Sequence, residues 1–444
     1  MAAPFAHLLE PWAAEGRRLL PVILGGDIGG YSLARAFHEG FGVKSIIMST
    51  ALGGTVAHSS IVINAVEPGM DDPDVAVAAL LRIARENPDA ELIAVASADW
   101  LVRTLVERKA ELEPRYTVPY VDTTLLDRVT SKEAFAELCV EYGLVHPQTV
   151  VVSLASGAPD AAAGLFADLT FPVVAKAADS GAFHPIEFAG KEKVATVASE
   201  EALLALLSTV HSAGYRDAFI VQDLIPGDDA GLRIFNTYVS RDGVVQWTVY
   251  GHVLLQEHTP STVGNSSIVL TGPAPAAIEP FMRLLEGIGW KGFASPDMKV
   301  DPRTGELVFF ELNPRLSRSN YFATGSGLNP AVAYVRDWML GVAAEEPDVG
   351  GPQQPHLFTV VPRWIQSRYV IDADIRAKVK QLRKAREVSN ALWNRAERHP
   401  RRIAYVLAHQ VNQIRKYRTF YPKSVQAAER ASVEGMPFPR GKDA

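Results

Sequence analysis

The residues of this 444-residue chain whose types and spacing point most directly to chemistry are Asp297, Glu311 and Asn313. Residues 292–300 and 307–312 read as two strands separated by the turn residues 300–306. A hairpin turning around Arg303-Thr304 would set Asp297 against Glu311, with Cβ atoms roughly 5 Å apart. Glu311 and Asn313 are two residues apart and share a face. Three hard oxygen ligands then converge, the donor set that magnesium on phosphate oxygens requires. Arg315 and Arg318 follow on a loop, where their guanidinium forks can meet carboxylate or phosphate in bidentate fashion. The bland alternative is a polar hairpin trailed by a surface arginine loop.

Cations for an anionic ligand recur earlier. Lys176 ends the apolar run Val173-Val174-Ala175, and a buried ammonium there needs a partner. Phosphates would supply one, with the amides of Asp179-Ser180-Gly181-Ala182 closing over them. Lys132, at the start of a helix, is a second phosphate candidate, although taken alone it reads first as a solvated lysine. The apolar strand 219–223 opens into Gln222-Asp223-Leu224-Ile225-Pro226-Gly227-Asp228-Asp229. Backbone groups there can read a base edge, and a carboxylate of the turn can bind ribose hydroxyls. Arg233 could reach phosphate from the next strand. Gly25-Gly26-Asp27-Ile28-Gly29-Gly30 is a glycine turn between strand and helix. Its spacing is not the G-x-G-x-x-G of dinucleotide sites. Gly26, Asp27, His38, His184 and Ser317 complete the substrate-side candidates, with the amine substrate falling to Asp27 and His38.

These groups need elements to hold them. Residues 19–24, 43–48 and 92–96 read as buried strands, with helical periodicity at 31–39 and 75–86 between them. Alternation of this kind implies a parallel α/β sheet. A helix follows at 131–142, capped by Ser131, then a strand at 149–152, a helix near 159–167 and a strand at 171–176. A helix at 200–213, strands at 232–240 and 244–252, and a helix at 276–288 lead to the hairpin. A Pro/Gly/Gln patch at 347–355 precedes a basic helical tail. Between 366 and 423 only Asp372, Asp374, Glu387 and Glu397 oppose many Arg and Lys. That tail reads as a solvated helical pair covering the body, or as a surface for an anionic, membrane-associated partner.

Lys132, Lys176, the 222–229 hinge, Asp297 and Glu311-x-Asn313 occur in the order and spacing of the ATP-grasp superfamily. The resemblance spans roughly residues 19–341. Residues 21–39 and Glu311-Leu312-Asn313-Pro314-Arg315-Leu316-Ser317-Arg318 resemble the D-aspartate ligases of peptidoglycan cross-bridge synthesis. The resemblance implies a mixed α/β (α+β) ATP-grasp fold. It comprises an N-terminal open parallel α/β domain (1–120), two ATP-grasp subdomains (121–225, and 226–345 with the metal site) and a basic helical extension (346–444). ATP and Mg2+ are the implied cofactors. Lys132, Lys176, Ser180 and Gly181 then meet phosphates, Gln222, Asp223, Leu224 and Ile225 adenine, and Asp229 or Asp228 ribose. Asp297, Glu311 and Asn313 meet magnesium. Lys176, Arg315 and Arg318 act on the reacting groups, the two arginines gripping the donor's carboxylates and the transferring phosphoryl group. Asp223 departs from the relatives, where a glutamate is common. The implied reaction joins an amino-acid carboxylate, D-aspartate's β-carboxyl above all, to the side-chain amine of a peptidoglycan precursor through an acyl phosphate. The rivals are another amino-acid or dipeptide ligase of this fold, a nucleotide sensor without turnover, and a nicotinamide-dependent dehydrogenase.

Composition narrows the setting. With 48% hydrophobic residues the chain can bury large cores, and a net charge of −6 argues against a dedicated nucleic-acid binder. The single cysteine, Cys139, excludes an internal disulfide. No run approaches the roughly 18 apolar residues of a spanning helix. The first residues lack a signal peptide's pattern, so a cytoplasmic location is expected.

Overall fold

The computed structural model describes residues 3–159, 164–178, 180–183, 185–260, 262–342, 349–352 and 354–433. Three sheets organise the described residues. The first is parallel and five-stranded, in the order Val62–Val66, Ser45–Ser49, Arg18–Leu24, Ala90–Ala96, Tyr116–Thr117. Its middle strand Arg18–Leu24 pairs on both edges, Val22 standing against Ile46 and Ala94. Covered on both faces, that strand is apolar without alternation. The helices Ile28–Phe41, Pro73–Glu86 and Asp99–Glu107 pack around the sheet.

The second sheet has seven strands: Leu307–Asn313, Gly292–Val300, Leu232–Val239, Val245–Gln256, Ser266–Gly272, Leu357–Thr359 and Val388–Asn390. All its pairs are antiparallel except the last. The third, four-stranded, orders Thr149–Ser153, Ala218–Asp223, Val173–Ala177 and Ala195–Val197. It packs its own apolar cluster, Leu203, Leu207 and Val210 of the helix Glu200–Ser212 meeting Phe219 and Val221.

The structure differs from the sequence reading in three places. Residues 164–169 form a turn, whereas a helix was expected near 159–167; residues 160–163 of that span lie outside the described residues. Ser266–Gly272, Leu357–Thr359 and the edge strands Val62–Val66 and Val388–Asn390 went unread. Two of them have three residues each, too short for a period, and Val62–Val66 exposes Ile63 on the sheet's edge. The segment beyond the 347–355 patch does not merely cover the body. It supplies two strands of the central sheet, and its helix Pro400–Phe420 sends Arg402 into the interior, stacked 4.4 Å from the Tyr31 ring. Glu397 accepts from Tyr31 Oη at 2.8 Å and from the Ser60 amide at 2.7 Å. The tail's cations are therefore divided between the interior and the surface. Cys139 is buried and free, and burial pushes its thiol up to about 12. Among the described residues no helix is long and apolar enough to cross a membrane.

Candidate active site

The hairpin that carries Asp297 and Glu311 runs in regular register from Val300–Leu307 to Met298–Phe309. Continued without interruption, that register would set Asp297 against Phe310. A bulge after Phe309 leaves Phe310 unpaired and brings Glu311 opposite Asp297, with Asn313 opposite Ser295. The expected opposition is present, through an irregularity the hairpin arithmetic did not contain. Asn313 Nδ2 donates to Ser295 O at 2.9 Å and lies 3.4 Å from Asp297 Oδ2. The three residues thus form one polar patch.

Both expected lysines reach that patch. Lys132 opens the helix Lys132–Tyr142, whose cap Ser131 accepts from the Ala134 amide at 3.4 Å. Its Nζ lies 2.5 Å from Glu311 Oε2, and Lys176 Nζ, from the four-stranded sheet, lies 3.6 Å from the same oxygen. The Lys132 ammonium, assisted by Lys176, holds the Glu311 carboxyl well below the usual carboxylate range. Asp297 is driven the other way: burial, reinforced by the Glu311 charge, pushes its carboxyl up. Burial also lowers Lys176, with Glu311 opposing. Among the described residues no three His, Cys, Asp or Glu side chains gather as a metal centre. The set here is two carboxylates and an amide, all hard oxygen donors, which suits a magnesium ion that also holds phosphate oxygens.

The hinge is built differently. Gln222 Nε2 donates to Thr149 Oγ1 at 2.9 Å, and Asp223 Oδ1 accepts from the Thr170 amide at 2.8 Å. Lys299 crosses from the central sheet and donates to Ile225 O at 3.0 Å and Gly227 O at 2.7 Å, tying the turn down; Leu224 stays part-exposed beside it. Asp229 is buried and accepts from the Gln256 amide, and His258 Nε2 stands 2.8 Å from it. Asp228 accepts from the Ala230 amide at 3.2 Å and stands 3.6 Å from Arg430. Of the two carboxylates expected at a ribose, Asp229 is committed to holding the strand end.

Arg233 is not brought to the patch. It is paired with Met298 while its neighbour Ile234 is paired with Asp297, so alternation sends it to the other face of the sheet. There Nη1 donates to Ala230 O at 2.8 Å. His38 is also elsewhere. It lies 11 residues beyond Asp27 on the helix Ile28–Phe41, about 16 Å along its axis. Ser180 and Gly181 open the short helix Ser180–Phe183. Asp179 and His184 lie outside the described residues.

Asp27 caps the helix Ile28–Phe41, accepting from the Gly30 amide at 2.9 Å, and stands 3.4 Å from Arg318 Nε. The glycines are there for closeness: a Cβ on Gly30 would sit 2.1 Å from Gly25 O, and one on Gly29 3.2 Å from the Arg318 Cα. Gly26 abuts Ser49. Arg315 Nη2 donates to Asp99 at 2.8 Å and lies 3.4 Å from Asn313 Oδ1, close to the metal-type patch. Ser317 is buried, its amide donating to Asn236 Oδ1 at 3.3 Å. Sequence reasoning missed Asp99, Lys299 and Glu257. Glu257 is 3% exposed and stands 3.5 Å from Arg318 and 3.8 Å from Lys416. The available signal was a charged Glu257-His258 pair ending a long apolar strand.

No family model matches the chain. It is 31% identical over 415 residues to the D-aspartate ligase of Enterococcus faecium (strain Aus0004), covering 91% of this chain and 97% of that protein. Solved structures share the fold at low identity. The L-amino acid ligase from Bacillus licheniformis superposes with a TM-score of 0.51 at 14% identity, over 73% of this chain and 75% of that one. N5-carboxyaminoimidazole ribonucleotide synthetase from Thermus thermophilus gives 0.52 at 20%, over 76% and 82%. The biotin carboxylase domain of Hydrogenobacter thermophilus 2-oxoglutarate carboxylase gives 0.55 at 13%, over 76% and 73%. A relative at that identity along nearly its whole length, on a fold where the helix Lys132–Tyr142 and the four-stranded sheet bring lysines against paired carboxylates, establishes that the chain belongs to the D-aspartate ligase family of ATP-grasp enzymes and is a carboxylate–amine ligase.

Proposed function

We propose that the chain uses ATP and Mg2+ to join the β-carboxyl of D-aspartate to the side-chain amine of a peptidoglycan precursor stem peptide. The observation that carries the catalytic half is the convergence of Lys132 and Lys176, from separate elements, on Glu311 opposite Asp297. The name of the relative supports the donor. Reaction in the cytoplasm follows from the need for ATP.

Asp297, Glu311 and Asn313 are the residues that would hold magnesium, which supplies positive charge against the phosphates. Lys132 and Lys176 hold phosphate oxygens, and the hinge at Leu224 and Ile225 receives the base. Asp228 takes the ribose, since Asp229 is engaged. A donor carboxylate and a γ-phosphoryl group repel one another, so the lysines and Arg315 must neutralise charge before they meet. A carboxylate oxygen then bonds to the γ-phosphorus as ADP leaves. The amine nitrogen next bonds to the acyl carbon, phosphate departs, and the amine's proton passes to solvent. No protein nucleophile takes part.

The test is ADP release measured for D-aspartate, L-aspartate and other amino acids against stem-peptide precursors and free amino acids, with mass analysis of products. Release that needs D-aspartate with a stem-peptide amine is the expected outcome. Release with pairs of free amino acids instead would replace it with a dipeptide ligase.

A further inference from the structure

Glu257 directly follows the strand Val245–Gln256, with both neighbours fixed. The Gln256 amide donates to Asp229, and Tyr417 Oη donates to Gln256 O at 2.7 Å. The His258 ring stacks 3.4 Å from Tyr421. Such a frame holds one side chain in place, yet that side chain is not itself satisfied. Glu257 Oε2 is buried with no hydrogen-bond partner, and its two cations stand off at 3.5 and 3.8 Å. Charge-assisted hydrogen bonds close to about 2.7–2.9 Å. The helix Pro400–Phe420 faces this carboxylate with Gln413, 1% exposed, whose Oε1 is also unpartnered, and with His409, whose Nδ1 is unpartnered too. Glu257, Gln413 and Lys416 line one recess. Arg318 joins it from the loop that leaves Glu311 and carries Asp27 on its other side. Buried polar atoms left open on two facing elements at one point are costly unless something completes them.

We propose that this recess receives the α-ammonium and α-carboxylate of the amino-acid donor, Glu257 taking the ammonium and Lys416 with Arg318 the carboxylate. The mixture of signs decides the ligand. Two carboxylates, Asp27 and Glu257, alternate with two cations, Arg318 and Lys416, which suits a zwitterion and suits neither a lone phosphate nor a lone amine. Gln413 and His409 offer uncharged polar atoms between them. Lys416, whose side chain is 29% exposed, forms the lip, and it must move aside for the ligand to enter, since the recess is closed as it stands. With the α-ammonium and α-carboxylate fixed here and the reacting carboxylate left to meet the γ-phosphoryl group, the C-terminal segment reads the donor's handedness. The inference rests on the ligase reading above and adds the donor subsite to it.

The experiment compares Lys416→Met and Glu257→Gln with the unaltered full-length chain. It measures KM for D-aspartate, KM for MgATP, the ratio of rates with D- and L-aspartate, and Tm. The expected result is a donor KM raised at least about tenfold in each variant, a lost partner for one ligand charge. MgATP KM stays within about twofold and the D/L ratio falls. A merely structural role would lower Tm without separating the two KM values. Should Glu257→Gln fail to fold, Lys416→Met decides alone, because its side chain lies at the lip. Unshifted donor KM in a folded Lys416→Met overturns this inference while leaving the ligase reading intact. Absence of ADP release by the unaltered chain with every amino acid overturns the donor reading and the recess together.

Discussion

Glu311 and Glu257 are both carboxylates set among two cations, and the two pairs are built to different tolerances. Lys132 sits 2.5 Å and Lys176 3.6 Å from one Glu311 oxygen, whereas Arg318 and Lys416 stop 3.5 and 3.8 Å from Glu257, neither in close contact. The first pair draws its cations from the helix Lys132–Tyr142 and the four-stranded sheet, so it links separate elements through a single oxygen. The second is framed by rigid neighbours and leaves its own oxygen open. On the proposed function the first cluster meets a polyanion that arrives with its own metal, and on the further inference the second keeps lone pairs for a ligand that brings both charges.

The comparison can be tested at each end. Glu311→Ala is expected to lower the rate of ADP formation by roughly 10³-fold, the scale for removing a group that organises transition-state charge, with the folded state retained because the side chain is 31% exposed. Wild-type turnover would sever the patch from the chemistry. Lys176→Met is expected to cost roughly 10²-fold in kcat and to leave donor KM unchanged, the reverse of the split expected at Lys416. A rise in donor KM at Lys176 would merge the two regions into one. The smallest effect is on stability. Burial holds His409 down at about 4, against the neighbouring Glu257 and with Lys416, Arg318 and Arg402 adding in the same direction. The unfolded imidazole titrates near 6.5, so below that pH the unfolded chain binds a proton the folded chain refuses. Stability is therefore full above about 6.5 and declines as pH falls toward 4. His409→Asn is expected to flatten the fall between pH 6.5 and 5.5 by about 1 kcal/mol. His252, held down at about 3 by burial, contributes the same sign in both proteins, so some slope remains. Parallel denaturation curves for the two proteins would remove His409 from the buried cluster.

Much of the frame was readable from local pattern. The apolar run 19–24, the capped helix after Ser131 and the hairpin follow from periods of two or 3.6 residues and from turn chemistry, which neighbours in sequence determine by themselves, while the order from Lys132 to Asn313 was legible as a resemblance to the ATP-grasp superfamily. Lys176 could be named because an ammonium ending an apolar strand needs an anion, and Lys132 because its place in the order matches the resembling family. Register, facing and long-range company belong to the tertiary structure. The bulge at Phe310 moves Glu311 onto Asp297, since a hairpin's irregularity depends on both strands. Arg233 faces away from the patch because of its pairing with Met298, and Asp229 is taken by His258 because the chain returns there. Glu257 and the helix bearing Lys416 lie more than a hundred residues apart, and no local signal joins them. Alternation and periodicity are carried by adjacent residues, while a recess exists only once distant segments have packed around the same point.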